Sequence, residues 1–248
     1  MRFRTSAVVA AISVWTVGCT PAPTTSPSTT TTSQGRTSGS PAGVTVAHEG
    51  NSLVRFINAA ESGKTMEVWS RDAQNFSLEY QKSSPYEEIA SGAVRFELRE
   101  PGAKDFLAAN RRELLFGRHY TLVALPGVNR TARLTILNDS LGALEPGTAR
   151  VRLINACHGV DDLDVYISGT KVKLLHGVGP GKATSFTDSM LSSFMDMDAG
   201  TLEIVPEGGT APPQLSNLQV QADTLVTFIV VGTAQAPELL RIEDRIER

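Results

Sequence analysis

The chain has 248 residues, 41% of them hydrophobic, 20% charged and 6% aromatic, with a formal net charge of −3. That apolar fraction is enough to bury real cores, so global disorder is excluded, and the length accommodates one large domain or two of ordinary size. Twenty-three basic against 26 acidic residues leave no electrostatic footprint for a phosphate backbone, which argues against a nucleic-acid partner, and two cysteines cannot make a disulfide-dense scaffold.

The first element is an address. Arg2 and Arg4 precede an apolar run from Ala7 to Val17 that is broken only by Ser13 and Thr16. Eleven residues are too few to cross about 30 Å of hydrocarbon as a helix, so the run reads as a signal-peptide core, not an anchor. It ends in Thr16-Val17-Gly18-Cys19, which resembles the lipobox of bacterial lipoproteins, where the cysteine after a small residue receives diacylglycerol. The resemblance implies a signal peptide over residues 1–18 and lipid attachment at Cys19. Thr20 after the cysteine resembles the outer-membrane sorting pattern of diderm bacteria.

From Thr20 to Gly43, 20 of 24 residues are Thr, Ser, Pro or Gly. Such a stretch has nothing to bury against its ordering entropy, so a disordered, lipid-anchored linker is expected over residues 19–50. As a flexible coil its 24 residues reach roughly 25–30 Å. With Cys19 acylated, Cys157 is the one remaining thiol, and a buried, inert role is expected for it.

The body is a duplication. Val54-Arg55-Phe56-Ile57-Asn58-Ala59 recurs as Val151-Arg152-Leu153-Ile154-Asn155-Ala156, and Met66-Glu67-Val68-Trp69 matches Leu163-Asp164-Val165-Tyr166 at the same offset. Tyr120 to Leu125 aligns with Val226 to Val231 at a larger offset, which places an insertion in the second copy near residues 186–199. Within each copy the hydrophobic period is two: Val94, Phe96 and Leu98 alternate with Arg95, Glu97 and Arg99. Leu225 to Val231 is nearly continuous apolar and β-branched sequence, as in a strand covered on both faces. Turn signals such as Ser91-Gly92, Pro101-Gly102 and Gly179-Pro180-Gly181 separate the runs. Two tandem antiparallel β-sandwich domains, over residues 51–141 and 147–248, are therefore predicted. Asp105 to Phe116 could form a short helix, but its counterpart Gln214 to Val220 reads as strand, and the all-β reading is kept.

The V-R-[FL]-I-N-A opening, the acidic-Val-aromatic triplet and the late strand beginning at Tyr120-Thr121 or Val226-Thr227 together resemble the bacterial domain of unknown function 4397. The resemblance covers about residues 52–140 and 148–246. It implies secreted or surface-attached immunoglobulin-like modules, often in tandem, and supplies no catalytic residues.

Chemistry-bearing patterns are weak. Asn58 to Thr65 approaches a phosphate-binding loop but has Asn58 where the first glycine must be, and Ser168-Gly-Thr-Lys171 falls at a hairpin turn rather than a helix start. The histidines at 48, 119, 158 and 176 have no zinc-like spacing, and Asp161, Asp162 and Asp164 lack the partners of a calcium loop. No catalytic residue, metal or cofactor is expected. Trp69 and Tyr166, at equivalent positions, are candidate binding residues for a glycan or envelope protein. Asn58 and Asn155 are candidate binding residues too, although a backbone-bonding role at a strand end is favoured for them. Arg55 with Glu67, and Arg152 with Asp164, are expected as cross-strand pairs on a solvent face. The function expected from these readings is that of a non-enzymatic, extracytoplasmic cell-envelope lipoprotein in interaction, adhesion or structure. The alternative is a hydrolase-like enzyme with a site at the domain junction.

Overall fold

The structure is a computed structural model that describes residues 50–60, 63–127, 131–139, 143–183 and 194–245. The expected signal peptide, Cys19 and nearly all of the linker lie outside the described residues, as does most of the expected insertion.

Two β-sandwiches follow one another. The first contains β1 (Asn51–Asn58), β2 (Met66–Ser70), β3 (Ala73–Leu78), β4 (Lys82–Ser83), β5 (Glu87–Ala90), β6 (Gly92–Arg99), β7 (Ala108–Leu114), β8 (His119–Pro126) and β9 (Ala132–Asp139). The second repeats this order as β10 (Thr148–Asn155), β11 (Leu163–Ile167), β12 (Lys173–Val178), β13 (Lys182–Ala183), β14 (Met195–Asp198), β15 (Gly200–Pro206), β16 (Leu218–Val220), β17 (Thr224–Thr233) and β18 (Ala236–Arg245). In the first sandwich a β4-β1-β8-β9 sheet, with β5 also on β1, faces a β3-β2-β6-β7 sheet. In the second a β13-β10-β17-β18 sheet, with β14 on β10, faces β12-β11-β15-β16.

Pairing is antiparallel except at one place in each sandwich, where β1 runs parallel to β8 and β10 parallel to β17. A parallel pair needs a crossover, and here the crossover is the intervening sandwich itself. The segment with helical character, Asp105 to Phe116, supplies β7. Its alternating burial along β6 shows that edge pairing overrides the local helical propensity.

Each sandwich has its own core. Val54, Phe56, Met66, Val68 and Phe96 fill the first, and Val151, Leu153, Leu163, Val165, Phe228 and Val230 fill the second. Within each strand these residues fall at alternate positions and all are buried, as a period of two requires.

A third cluster joins the two sandwiches. Ile57, Ala59, Val123, Leu125 and Leu137 of the first pack against Ile154, Ala156, Ile229 and Val231 of the second. The two inner sheets are thus buried on both faces, and the chain stacks as four layers: outer sheet, inner sheet, inner sheet, outer sheet. This contact overturns the expected pairing of Arg55 with Glu67 and of Arg152 with Asp164. β1 and β2 lie in opposite sheets, as do β10 and β11, and each arginine points into the contact between sandwiches. Alternation had placed these side chains on an outward face; the outward face is the other repeat.

The arginines are exchanged between repeats. Arg55 Nη1 donates to both oxygens of Asp244 at 3.0 and 2.8 Å, and Arg152 Nη1 donates to Asp139 Oδ1 at 2.8 Å. Asp139 stands opposite His119 on β8 and Asp244 opposite Leu225 on β17, which are matching positions. Thr121 and Thr227 complete the symmetry by accepting from Arg55 Nε at 2.9 Å and Arg152 Nε at 3.2 Å. Tyr86 and Phe194, each just before the strand that pairs with β1 or β10, cover the respective guanidiniums at 4.7 and 4.3 Å. The junction is a two-fold-like contact within one chain.

Candidate functional site

The acidic-Val-aromatic triplet explains itself once it is laid on a strand. With a period of two, Val68 and Val165 enter the cores while Glu67 with Trp69, and Asp164 with Tyr166, share the outward face. Trp69 Nε1–H donates to Glu67 Oε2 at 2.9 Å, and Tyr166 O–H donates to Asp164 Oδ2 at 3.4 Å. Both rings are half-buried.

A cation completes each cluster, and the two repeats recruit it from opposite sides. Arg99 on β6 sits directly across from Glu67 and holds its guanidinium 4.9 Å from the Trp69 ring centroid. Lys173 on β12 sits across from Tyr166, with Nζ 5.4 Å from that ring and 2.7 Å from Asp164 Oδ2. A cation over an aromatic face at the surface contributes about 0.5–1 kcal/mol. Such a contact orients the ring more than it holds the fold.

The Asp164 carboxylate organises the second cluster. Besides Lys173 it accepts from the Gly177 amide and meets His176 Nδ1, both at 3.0 Å. Burial alone would raise its pKa, but Lys173, the Gly177 amide and His176 outweigh burial and hold the carboxyl below its ordinary range. The same contact raises the pKa of the Lys173 ammonium. Both charges therefore persist at neutral pH.

Loop length then separates the two faces. In the first repeat β2 turns into β3 through Arg71 and Asp72, both with positive φ, as a tight two-residue hairpin requires. A small depression of about 150 Å³ is left there, bordered by Trp69, Arg71, Arg95, Glu97 and Arg99. In the second repeat the longer β11–β12 and β15–β16 connections raise walls. They border a broad, open depression of about 610 Å³ lined by Tyr166, Lys171, Lys173, Glu203, Val205 and Thr210, among others. Its floor offers an aromatic ring beside an ammonium and a carboxylate. Sequence reasoning found Trp69 and Tyr166 but missed Arg99, Lys173 and Glu203, because cross-strand register was needed to bring them to the rings.

Asn58 and Asn155 turn inward, away from both outer faces. Both are fully buried. Asn58 Nδ2 spends its two hydrogens on the carbonyls of Lys64 and Leu78 at 3.0 and 2.9 Å, and Oδ1 accepts from the Ala60 amide. Asn155 does the same with Asp161, Val178 and Cys157. Each is an internal latch that fastens the loop after the first strand of its sandwich to the third strand. Cys157 beside the second latch is buried and unpaired, and burial pushes its thiol up to about 11. Cys19 lies outside the described residues. Among the described residues, no group of His, Cys, Asp or Glu is arranged to hold a metal ion.

The molecule is thus a tandem pair of β-sandwich modules joined by a two-fold-like contact, each bearing an acid-aromatic-cation cluster on its outer sheet. Residues 52–166 match the family described as domain of unknown function (DUF4397), a match that runs through the first module and into the second strand of the next. No curated protein matches the chain. Among solved structures, the chain is similar to the Bacillus anthracis TIE protein at 10% identity, covering 74% of this chain and 34% of that one, with a TM-score of 0.23. The chain therefore spans about a third of that protein. A streptococcal virulence factor described as binding alpha-glucan is 11% identical over 76% of this chain and 95% of its own, with a TM-score of 0.24. A candidate cell adhesion protein from Bacteroides uniformis is 10% identical over 80% and 100%, with a TM-score of 0.25.

Proposed function

We propose that the protein is a non-enzymatic binding lipoprotein of the bacterial cell envelope, acylated at Cys19 and carrying its two sandwiches on the Thr/Ser/Pro-rich leash. Its ligand is a glycan, bound on the outer sheets at Tyr166 and Trp69. The observation that carries this reading is the cluster built twice from the same parts: a half-buried ring with a carboxylate at its polar end and a cation over one face. An aromatic face takes the apolar C–H face of a sugar ring, while flanking charged groups donate to and accept from its hydroxyls. The broad, open depression beside Tyr166 has the room such a ligand needs. Closed packing at the junction, where apolar side chains and paired charges fill the contact, supports this reading over a hydrolase site there.

Two measurements test it. Radiolabelled palmitate is expected to mark the wild type and not Cys19→Ala; an unlabelled wild type refutes the anchor. A panel of immobilised glycans probed with the full-length protein in detergent is expected to retain it, with Tyr166→Ala lowering affinity about tenfold. Failure to bind any glycan refutes the ligand class.

A further inference from the structure

Four stacked layers have two ends. The inner sheets are buried on both faces, because Val54 and Phe56 enter one core while Ile57 enters the contact between sandwiches, and Leu153 and Ile154 divide in the same way. The outer sheets bury only one face each, so the Trp69 face and the Tyr166 face look away from one another. Packed sheets lie about 10 Å apart, which puts the two outer backbones about 30 Å from each other across the stack. The described chain enters at Gly50 and Asn51, on β1 of an inner sheet, and ends on β18 of the other inner sheet. Neither outer face lies on a sheet that carries an end of the described chain.

The contact between the layers is also tied by buried and polar contacts. Arg152 and Asp139 form a fully buried pair, and Gln81 Nε2 of the first sandwich donates to Glu238 of the second at 2.6 Å. At the position matching Gln81, Gly181 lets Arg133 approach so closely that a Cβ would stand 2.9 Å from its Nη1. A body clamped in this way cannot fold its two outer faces onto one ligand.

We infer that the protein is a bivalent cross-bridge that binds a separate strand of cell-wall glycan on each outer face. This inference rests on the glycan reading above. It takes the wall polymer as ligand because the lipid anchor proposed at Cys19, only about 30 residues before β1, keeps the body beside its own membrane, where the polymeric glycan at hand is the wall. The mixed charges suit that polymer: Lys171 offers an ammonium to stem-peptide carboxylates, and Glu203 offers a carboxylate to amines.

Purified peptidoglycan sacculi are the probe, with full-length protein in detergent. Wild type is expected to co-sediment with sacculi and to clump them, measured by light scattering. Clumping should rise and then fall as protein is added, since excess protein occupies each face singly. Trp69→Ala and Tyr166→Ala are each expected to co-sediment while losing at least 80% of the clumping, and the double variant to do neither. Arg99→Glu and Lys173→Glu provide the same arms should loss of a ring unfold a module. Binding without clumping by wild type, or full clumping by a single-face variant, overturns the bridge and leaves the glycan reading standing. Retention on the glycan panel without binding to sacculi overturns the wall as ligand. Failure on both overturns the glycan reading itself.

Discussion

Replacing Arg152 with methionine removes the cation from the buried side of the junction and leaves the shape nearly intact. The side chains of Arg152 and Asp139 are both 0% exposed. Asp139 would keep the Thr121 hydroxyl and the Tyr86 hydroxyl, the latter at 2.7 Å, but would lose its only direct ion-pair partner among the described residues. Breaking such a pair by removing one member costs about 3–5 kcal/mol, because the stranded charge remains desolvated. For a body of this size, each kcal/mol moves the melting temperature by about 2–4 °C, so a fall of about 10 °C is expected. The matching change, Arg55→Met, strands Asp244, whose side chain is 25% exposed and can hydrate; about 1–2 kcal/mol is expected there. Urea unfolding followed by far-UV circular dichroism measures both. Asp139→Asn in the Arg152→Met background should recover most of the loss, since the amide oxygen still accepts from Thr121 and Tyr86. If Arg152→Met costs less than about 1 kcal/mol, or no more than Arg55→Met, the network is not the clamp described above.

Four further outcomes follow from the same geometry. Burial alone would raise the pKa of Asp139, yet Arg152, Arg55 and the two hydroxyls hold it below the usual carboxylate range. Its share of stability is therefore present above about pH 4 and lost as pH falls through the lower folded value, and acid titration of Asp139→Asn should show a shallower loss than wild type. His119 is displaced the same way, chiefly by burial, so NMR titration of its ring should find it neutral below its ordinary value of 6.5. Cys157 is expected to resist a thiol reagent at pH 8 in the native protein and to react fully in denaturant; rapid native labelling would contradict its burial. Asn155→Ala leaves two carbonyls and one amide without their partner, and a loss of at least about 2 kcal/mol is expected in thermal unfolding.

The architecture was legible because alternation is a local signal. Val54 with Phe56, or Met66 with Val68, declares which face of a strand goes inside, and a repeat of that pattern declares the duplication. Arg55 and Arg152 were misread for the same reason: alternation distinguishes two faces but does not say what covers the second one. The hint lay elsewhere, in β17, whose Leu225 to Val231 run is too apolar for a strand with one wet side. The helical appearance of Asp105 to Phe116 dissolved because β6 supplied an edge to pair with, which no window of sequence contains. Trp69 and Tyr166 could be picked out by equivalence alone. Their cations could not, since Arg99 and Lys173 reach them from different neighbouring strands and occupy no common place in the repeat.

The exchange of charges across the junction bears on how the two copies can drift apart. Each arginine is neutralised by an aspartate that the other copy encodes, so a lesion in one half damages a residue of the other. Neither half can decay to a spacer or be deleted while its twin stays intact. The inner positions have accordingly kept pace: Arg55 with Arg152, Ile57 with Ile154, Thr121 with Thr227, Asp139 with Asp244. The outer sheets share no such exchange, and there tryptophan stands against tyrosine, glutamate against aspartate, and a two-residue turn against a longer one. Duplication has tied together the halves where they touch and released them to specialise where they do not.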